Sequence, residues 1–242
     1  MKIVLLRNKK ERVVYLPYIM RIFLLFFLSV TVLICNGSAG YAGDTKTGEL
    51  INNIREYNRS FSVFSSRYVR DIITKSMSLL GRTSSEDKSE GIIYVKPPHN
   101  LKVVQEAPSK ESLIATDEDI VWYIAEKNEA HIYRKEKFGK EFDLLIDLFT
   151  GLEEAFEDFI VNRLESRDGN AVLELTPDPP WQEVARVEIY VSDNRRISSI
   201  RIYNHLDTLT YFNLEEFRAE EGLNNDFFRF TPPFGAKIIA DP

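Results

Sequence analysis

GIIYVKPPHNLKVVQEAPSKESLIATDEDIVWYIAEKNEAHIY, residues 91–133, is the stretch that decides the fold. It holds five short runs of β-branched, aliphatic and aromatic residues: Gly91–Lys96, Leu101–Glu106, Glu111–Thr116, Ile120–Ala125 and Ala130–Tyr133. Turn formers separate them: Pro97-Pro98, Pro108-Ser109, Asp117-Glu118-Asp119 and Lys127-Asn128. Short strands at regular spacing, with turn chemistry between them, predict an antiparallel meander.

On the N-terminal side, Ser62–Ile73 is rich in β-branched and aromatic residues and reads as one long strand, followed by a polar hairpin tip at Gly81–Glu90. Before it, Leu50, Ile54, Tyr57 and Phe61 recur at helical spacing, with Asn52, Asn53, Arg55 and Glu56 on the other face, which predicts an amphipathic helix. A second helical pattern follows the meander at Phe142, Leu145, Ile146, Phe149, Leu152 and Phe156. Strands then resume. Val187, Ile189 and Val191 alternate with Arg186, Glu188 and Tyr190, and Ile200 and Ile202 alternate with Ser199, Arg201 and Tyr203. Thr208–Phe217 is a further strand, and Asp226–Thr231 with Lys237–Ala240 closes the domain.

The fold class is therefore α+β, mainly β. One large antiparallel sheet has only two or three helices to cover it, and a sheet this long must curl to bury its apolar side. The economical solution is an unclosed barrel, a half-barrel with a helical lid over an apolar cavity. The 16 Phe, 11 Tyr and 2 Trp belong mostly to an ordinary core, but part of that inner surface is available to a ligand.

The first 42 residues belong to export. Met20-Arg21, an apolar run from Ile22 to Cys35 and a small-residue tail ending at Ala42 form a secretory signal peptide cut after Ala42. The run is shorter than the roughly 18–20 residues that span a bilayer, and residues 1–19 precede a start at Met20 that is complete by itself. Residues 43–242 form a single domain. Removing residues 1–42 takes away six of the 31 Lys+Arg and one of the 37 Asp+Glu, leaving 25 and 36, a net of −11. That balance argues against nucleic acid and anionic surfaces as partners. The one cysteine, Cys35, lies inside the signal, so packing alone holds the exported chain, as suits a periplasmic location.

Catalytic signatures are missing. The sequence has no Gly-x-Ser-x-Gly elbow, no phosphate-cradling glycine loop and no His-Glu-x-x-His pair. His99, His131 and His205 lie in three separate strand or turn contexts, and the acids Glu153, Glu154, Glu157 and Asp158 fall on the wet face of a helix. The reading is a non-enzyme that uses no metal and no cofactor.

Four stretches carry a resemblance. Gly91–Pro98 is similar to a Gly-x-hydrophobic-aromatic-x-Lys-Arg-Pro strand, and Asp117–Tyr123 resembles an acidic turn leading into a hydrophobic-Trp-aromatic strand. Leu173-Glu174-Leu175-Thr176-Pro177 matches a Leu-x-Leu-x-Pro strand end, and Phe228–Ile239 resembles a closing Phe-x-Phe-x-Pro-Pro-x-Gly strand. In this order, after a signal peptide, they resemble the periplasmic outer-membrane lipoprotein carriers of the LolA family, over residues 44–240.

The resemblance implies a monomer that takes lipoproteins from an inner-membrane lipoprotein-releasing ABC transporter. It shields their acyl chains and passes them to an outer-membrane lipoprotein receptor. At about 0.8 kcal/mol per CH₂, exposing three long chains costs on the order of 30 kcal/mol, so unaided crossing of water is excluded. The implied lid residues are Leu50, Ile54, Tyr57, Phe142, Ile146 and Phe149. The implied cavity wall is Leu101, Val103, Trp122, Val187, Ile189, Ile200 and Ile202. The family's latch arginine would fall at Pro97, which has neither charge nor donor, and alternation turns Lys96 to the other face. The same scaffold could carry another envelope lipid or glycolipid, or serve as an envelope-stress regulator.

Overall fold

The computed structural model describes residues 45–79, 88–134, 140–150 and 158–240, without the side chains of residues 45, 78, 140–143, 145 and 163. The signal peptide and its cleavage site, Gly81–Asp87 of the polar tip, and Leu152 and Phe156 lie outside the described residues, as does the side chain of Phe142.

In chain order the elements are α1 (Thr45–Arg59), β1 (Phe64–Ile73), α2 (Lys75–Leu79), β2 (Ser89–Lys96), β3 (Asn100–Ala107), β4 (Glu111–Ala115), β5 (Asp119–Ile124) and β6 (Glu129–Arg134). They continue with α3 (Lys140–Thr150), β7 (Phe159–Arg167), β8 (Asn170–Pro177), β9 (Arg186–Val191), β10 (Ile197–Tyr203), β11 (Leu209–Ala219) and β12 (Lys237–Ala240). The described strands form one 12-stranded sheet in the order β12-β6-β5-β4-β3-β2-β1-β11-β10-β9-β8-β7. Every neighbouring pair is antiparallel except β12 with β6, which is parallel. β12 and β7 stand at opposite edges and do not pair with each other, so the sheet is not closed into a barrel.

The meander read from residues 91–133 is present as β2–β6, and the first amphipathic pattern is α1, with Phe61 just past its end. Three details differ. Ser89 and Glu90, read as part of a polar tip, are already paired in β2, opposite Arg70 and Val69 of β1. Asp226–Thr231 is a single 3₁₀ turn (Asn225–Phe228) and irregular chain, not a strand. Its turn starts where Asn224 caps the Asp226 amide at 3.0 Å, and Pro232-Pro233 blocks any ladder after it. Of the stretch read as a closing strand, only Lys237–Ile239 is extended in the sheet.

The third difference is the β7–β8 hairpin, which the hydrophobic pattern did not reveal. Asp168 and Gly169 have φ of 52° and 79°, the left-handed pair that a two-residue hairpin turn needs.

Candidate functional site

Register settles which side chains share a face, because directly opposed residues in a ladder point the same way. From Leu101 the line runs to Val95 on one side and Ala115 on the other, then to Ile120. From Val103 it runs to Ile93, Leu113 and Trp122, and on to His131. In the other half, Leu175, Val187, Ile202 and Thr210 are aligned, as are Leu173, Ile189, Ile200 and Phe212. Phe212 continues through Arg70 and Ser89 into the first half. All seven wall residues named from the sequence therefore stand on one face. Leu101, Trp122, Val187, Ile189 and Ile200 are buried, and Val103 and Ile202 are half-buried.

Two helices cover this face. α3 lies against β2 and β3, with Leu144, Ile146, Leu148 and Phe149 buried and the Phe149 ring 5.4 Å from that of Phe212. α1 buries Ile54 completely, while Leu50 and Tyr57 are half-buried. Fully burying an aliphatic side chain of this size stabilises by about 1.5–3 kcal/mol. The two helices also touch each other: Asn58 Nδ2 donates to the Thr150 carbonyl at 3.3 Å, and both residues are buried. That bond is one polar tie between the covers. Pro97 forms the turn after β2 and contributes no tie, and Lys96 is on the opposite face from Val95.

An aromatic knot fixes the C-terminal end of α1. Tyr57, Phe61 and Phe64 surround Phe217, with ring centroids 5.7, 5.1 and 5.2 Å from it. Phe217 reaches this face through a β-bulge: the β1–β11 register shifts between Ser65 and Arg67, and Glu216 adopts φ 49°. The extra residue turns Phe217 toward α1.

Polar groups interrupt the wall in a few places, and several of them pair with one another. Glu111 accepts from Trp122 Nε1 at 2.8 Å and from Ser109 Oγ at 2.6 Å. Gln105 donates to the Ser109 carbonyl at 3.0 Å. Burial pushes the Tyr68 hydroxyl up to about 12, so it stays neutral, with Ser89 as its hydrogen-bond partner. His131 sits between the Trp122 and Tyr133 rings at 5.4 and 6.2 Å. Burial lowers its pKa. His205 Nε2 is 2.9 Å from the Trp181 carbonyl, and Trp181 anchors its loop on Phe159 at 5.0 Å. No group of three or more metal-ligating side chains occurs among the described residues.

The opposite face is covered differently. After β11 the chain returns across the outside of β2–β5: Phe227 meets Tyr94 at 4.9 Å and Phe230 meets Tyr123 at 5.6 Å. Lys102 Nζ donates to the Phe227 carbonyl at 3.0 Å. Glu188, which alternation places in solvent, is buried on this face. Arg167, Arg186 and Arg201 approach its carboxylate at 3.5, 3.5 and 3.9 Å, and Tyr190 donates to it at 3.2 Å.

The pattern missed several wall residues: Tyr68, Ile93, Val95, Leu173, Leu175, Phe212 and Phe217. Leu173 and Leu175 were visible as a Leu-x-Leu alternation, and the continuous run Ile92-Ile93-Tyr94-Val95 could not assign its own faces. Phe217 had no signal, since a bulge breaks the period.

One solved structure shares this architecture. An uncharacterized conserved protein from Thermus thermophilus superposes with a TM-score of 0.53 at 11% identity, covering 81% of this chain and 100% of its own. A LolA superfamily protein from Nitrosomonas europaea gives 0.43 at 11% identity, covering 76% of this chain and 97% of its own. The Mycobacterium tuberculosis lipoprotein LppX gives 0.37 at 14%, covering 73% and 98%. A comparison of the sequence with curated proteins finds no match. The family model described as outer membrane lipoprotein carrier protein LolA matches residues 79–231, more than half of the chain. With an unclosed sheet, a continuous apolar face and helices laid over it, the chain belongs to the LolA family.

Proposed function

We propose that this protein is a non-enzymatic periplasmic carrier that holds the acyl chains of lipoproteins against the inner face of its sheet. It receives them from an inner-membrane ABC transporter and releases them to an outer-membrane receptor. The observation that supports this reading most is the composition of the cover. Ile54, Ile146 and Phe149 close an apolar wall of Leu101, Trp122, Val187, Ile189 and Ile200, and the Asn58–Thr150 contact ties the two covering helices to each other. A large apolar surface left open to water promotes association with other apolar surfaces, so an empty carrier needs a cover. A cover held mainly by apolar contacts can be exchanged for acyl chains of the same chemistry, because both satisfy the wall equally. The family's latch arginine is replaced by Pro97, and Asn58 takes over the tie between the covers in this reading.

The test mixes the processed protein, recovered from the periplasm of an expressing bacterium, with spheroplasts of that bacterium. The expected result is lipoproteins released into the supernatant in a one-to-one complex, with release lost in Ile54→Glu and Ile146→Glu. Leu50→Glu, at a half-buried position, gives the same loss with less risk to folding. Release of lipid without protein, seen by native mass spectrometry, would move the cargo to an envelope lipid. A supernatant with neither lipoprotein nor lipid would overturn acyl carriage altogether.

A further inference from the structure

Four large apolar side chains stand in solvent among the described residues: Leu79, Leu206, Phe234 and Ile238, at 80, 77, 103 and 44% exposure. The topology puts the first three at one end of the sheet. α2 carries Leu79 just beyond the end of β1. β11 runs antiparallel to β1, with Leu209 opposite Ile73, so the β10–β11 turn bearing Leu206 lies at the same end. The antiparallel order of β1–β6 returns the β5–β6 turn there as well. β12 starts with Lys237 opposite Glu129, so Phe234 lies beside that turn.

These side chains are presented rather than merely left over. The Leu206 turn is folded around Asn204, whose Oδ1 accepts from the amides of Leu206 and Thr208 at 2.9 Å each. Lys75 Nζ clips α2 to the same turn through Asp207 at 2.7 Å. Phe234 follows Pro232-Pro233 and precedes Gly235 at φ 72°, while Asn128 Nδ2 holds its carbonyl at 3.2 Å. The backbone is tied down in both places and the side chain still points outward.

Both ends carry both signs: Glu126 and Asp178 lie at the apolar end, and Arg195 and Arg196 share the β9–β10 turn with Asp193 at the other. The apolar end carries the lysines Lys75, Lys110, Lys127 and Lys237, and two of its acids, Asp207 and Glu129, are bound by Lys75 and Lys237. The other end turns on Asp117-Glu118, Asp168 and Asp193, is followed after β11 by Glu220-Glu221, and holds none of the exposed large hydrophobics.

We propose that the end bearing Leu79, Leu206 and Phe234 docks on a phospholipid bilayer, with these side chains inserted shallowly at the headgroup boundary. Leu79 and Leu206 flank β1 and β11, whereas Phe234 lies by β6, five strand spacings from β1, roughly 25 Å along the sheet. A protein interface needs a contiguous apolar centre, and three side chains on separate loops do not form one. A bilayer accepts dispersed apolar anchors, and lysine stems lie along its headgroups. The purpose of docking rests on the carrier reading: it places the rim of the acyl-binding face at the membrane from which cargo comes or to which it goes.

The experiment is flotation of the processed protein with vesicles of phosphatidylethanolamine and phosphatidylcholine, paired with uptake of a fluorescent acyl probe in vesicle-free solution. The comparison is wild type against Leu79→Ser, Leu206→Ser, Phe234→Ser and the triple variant, all with the same N-terminus. Each single change is expected to lower vesicle partitioning about threefold or more, and the triple variant at least about tenfold, with probe uptake unchanged. Glu118→Ser at the far end should leave both readouts unchanged. Wild type that ignores vesicles, or a triple variant that floats as well as wild type, overturns the docking proposal whatever the probe does. Rim-dependent flotation without probe uptake supports docking and counts against carriage instead.

Discussion

At the scale of single residues, Gly91 makes the sharpest demand. A side chain there would place its Cβ 2.0 Å from the Val104 carbonyl oxygen and 2.9 Å from Gln105 Cα, both backbone atoms that cannot swing away. The crowding arises because the β2–β3 register shifts between Glu90 and Gly91, which draws the β3 backbone inward. Gly91→Ala is therefore expected to lower stability by about 2–4 kcal/mol, read as a shift in the urea midpoint with the unfolding slope unchanged. An unaltered midpoint would show that the ladder relaxes there at little cost. The glycine was legible, since it opens the motif that resembles the family, but its reason was not, because a bulge between two strands has no local signature. Glu188 shows the opposite failure. Alternation put it in solvent, and three arginines from β7, β9 and β10 make its burial tolerable. No reading of one strand could assemble them.

Among the elements, the two helices were readable from spacing because each presents one apolar stripe, and the meander was readable because proline and acidic turns punctuate it. The β7–β8 hairpin was not, although Asp168-Gly169 is its turn signal, because Arg163, Glu165 and Arg167 dilute the apolar period of β7. What joins helix to helix was also beyond the pattern: Asn58 is a polar residue inside α1 and would ordinarily be assigned to the wet face. It is buried, and its amide reaches Thr150 across a sequence gap of 92 residues. Asn58→Ala removes a bond worth about 1 kcal/mol without touching the sheet. The expected result is a loss of about that size in global stability with faster uptake of an acyl probe, measured by stopped-flow fluorescence. Slower uptake, or stability unchanged with uptake unchanged, would mean that the bond does not hold the covers together.

For the molecule as a whole, the arrangement separates a stiff part from a part that can open. Inside the sheet each strand is laddered to neighbours on both sides from β6 through to β8, so its amides are released only when a ladder breaks. The covers have no such ladder. α1 is fixed at its C-terminal end by the Tyr57–Phe61–Phe64–Phe217 knot and along its length by the burial of Ile54, and α3 is held by Phe149 on Phe212 and by its aliphatic neighbours. Opening free energies within one protein range from near zero to the global value. Elements joined to the rest by side chains rather than by a backbone ladder belong to the lower part of that range. Hydrogen–deuterium exchange of the empty protein should therefore show α1 and α3 exchanging well ahead of β2, β1 and β9, with the start of α1 ahead of its knotted end. An acyl ligand that takes the place of the helices on the wall should speed their exchange further while slowing that of the strands beneath. A ligand that slips under an intact cover should slow both. Equal protection of helices and strands in the empty protein would mean that the cover does not open by itself, and loading would then need work supplied by a partner.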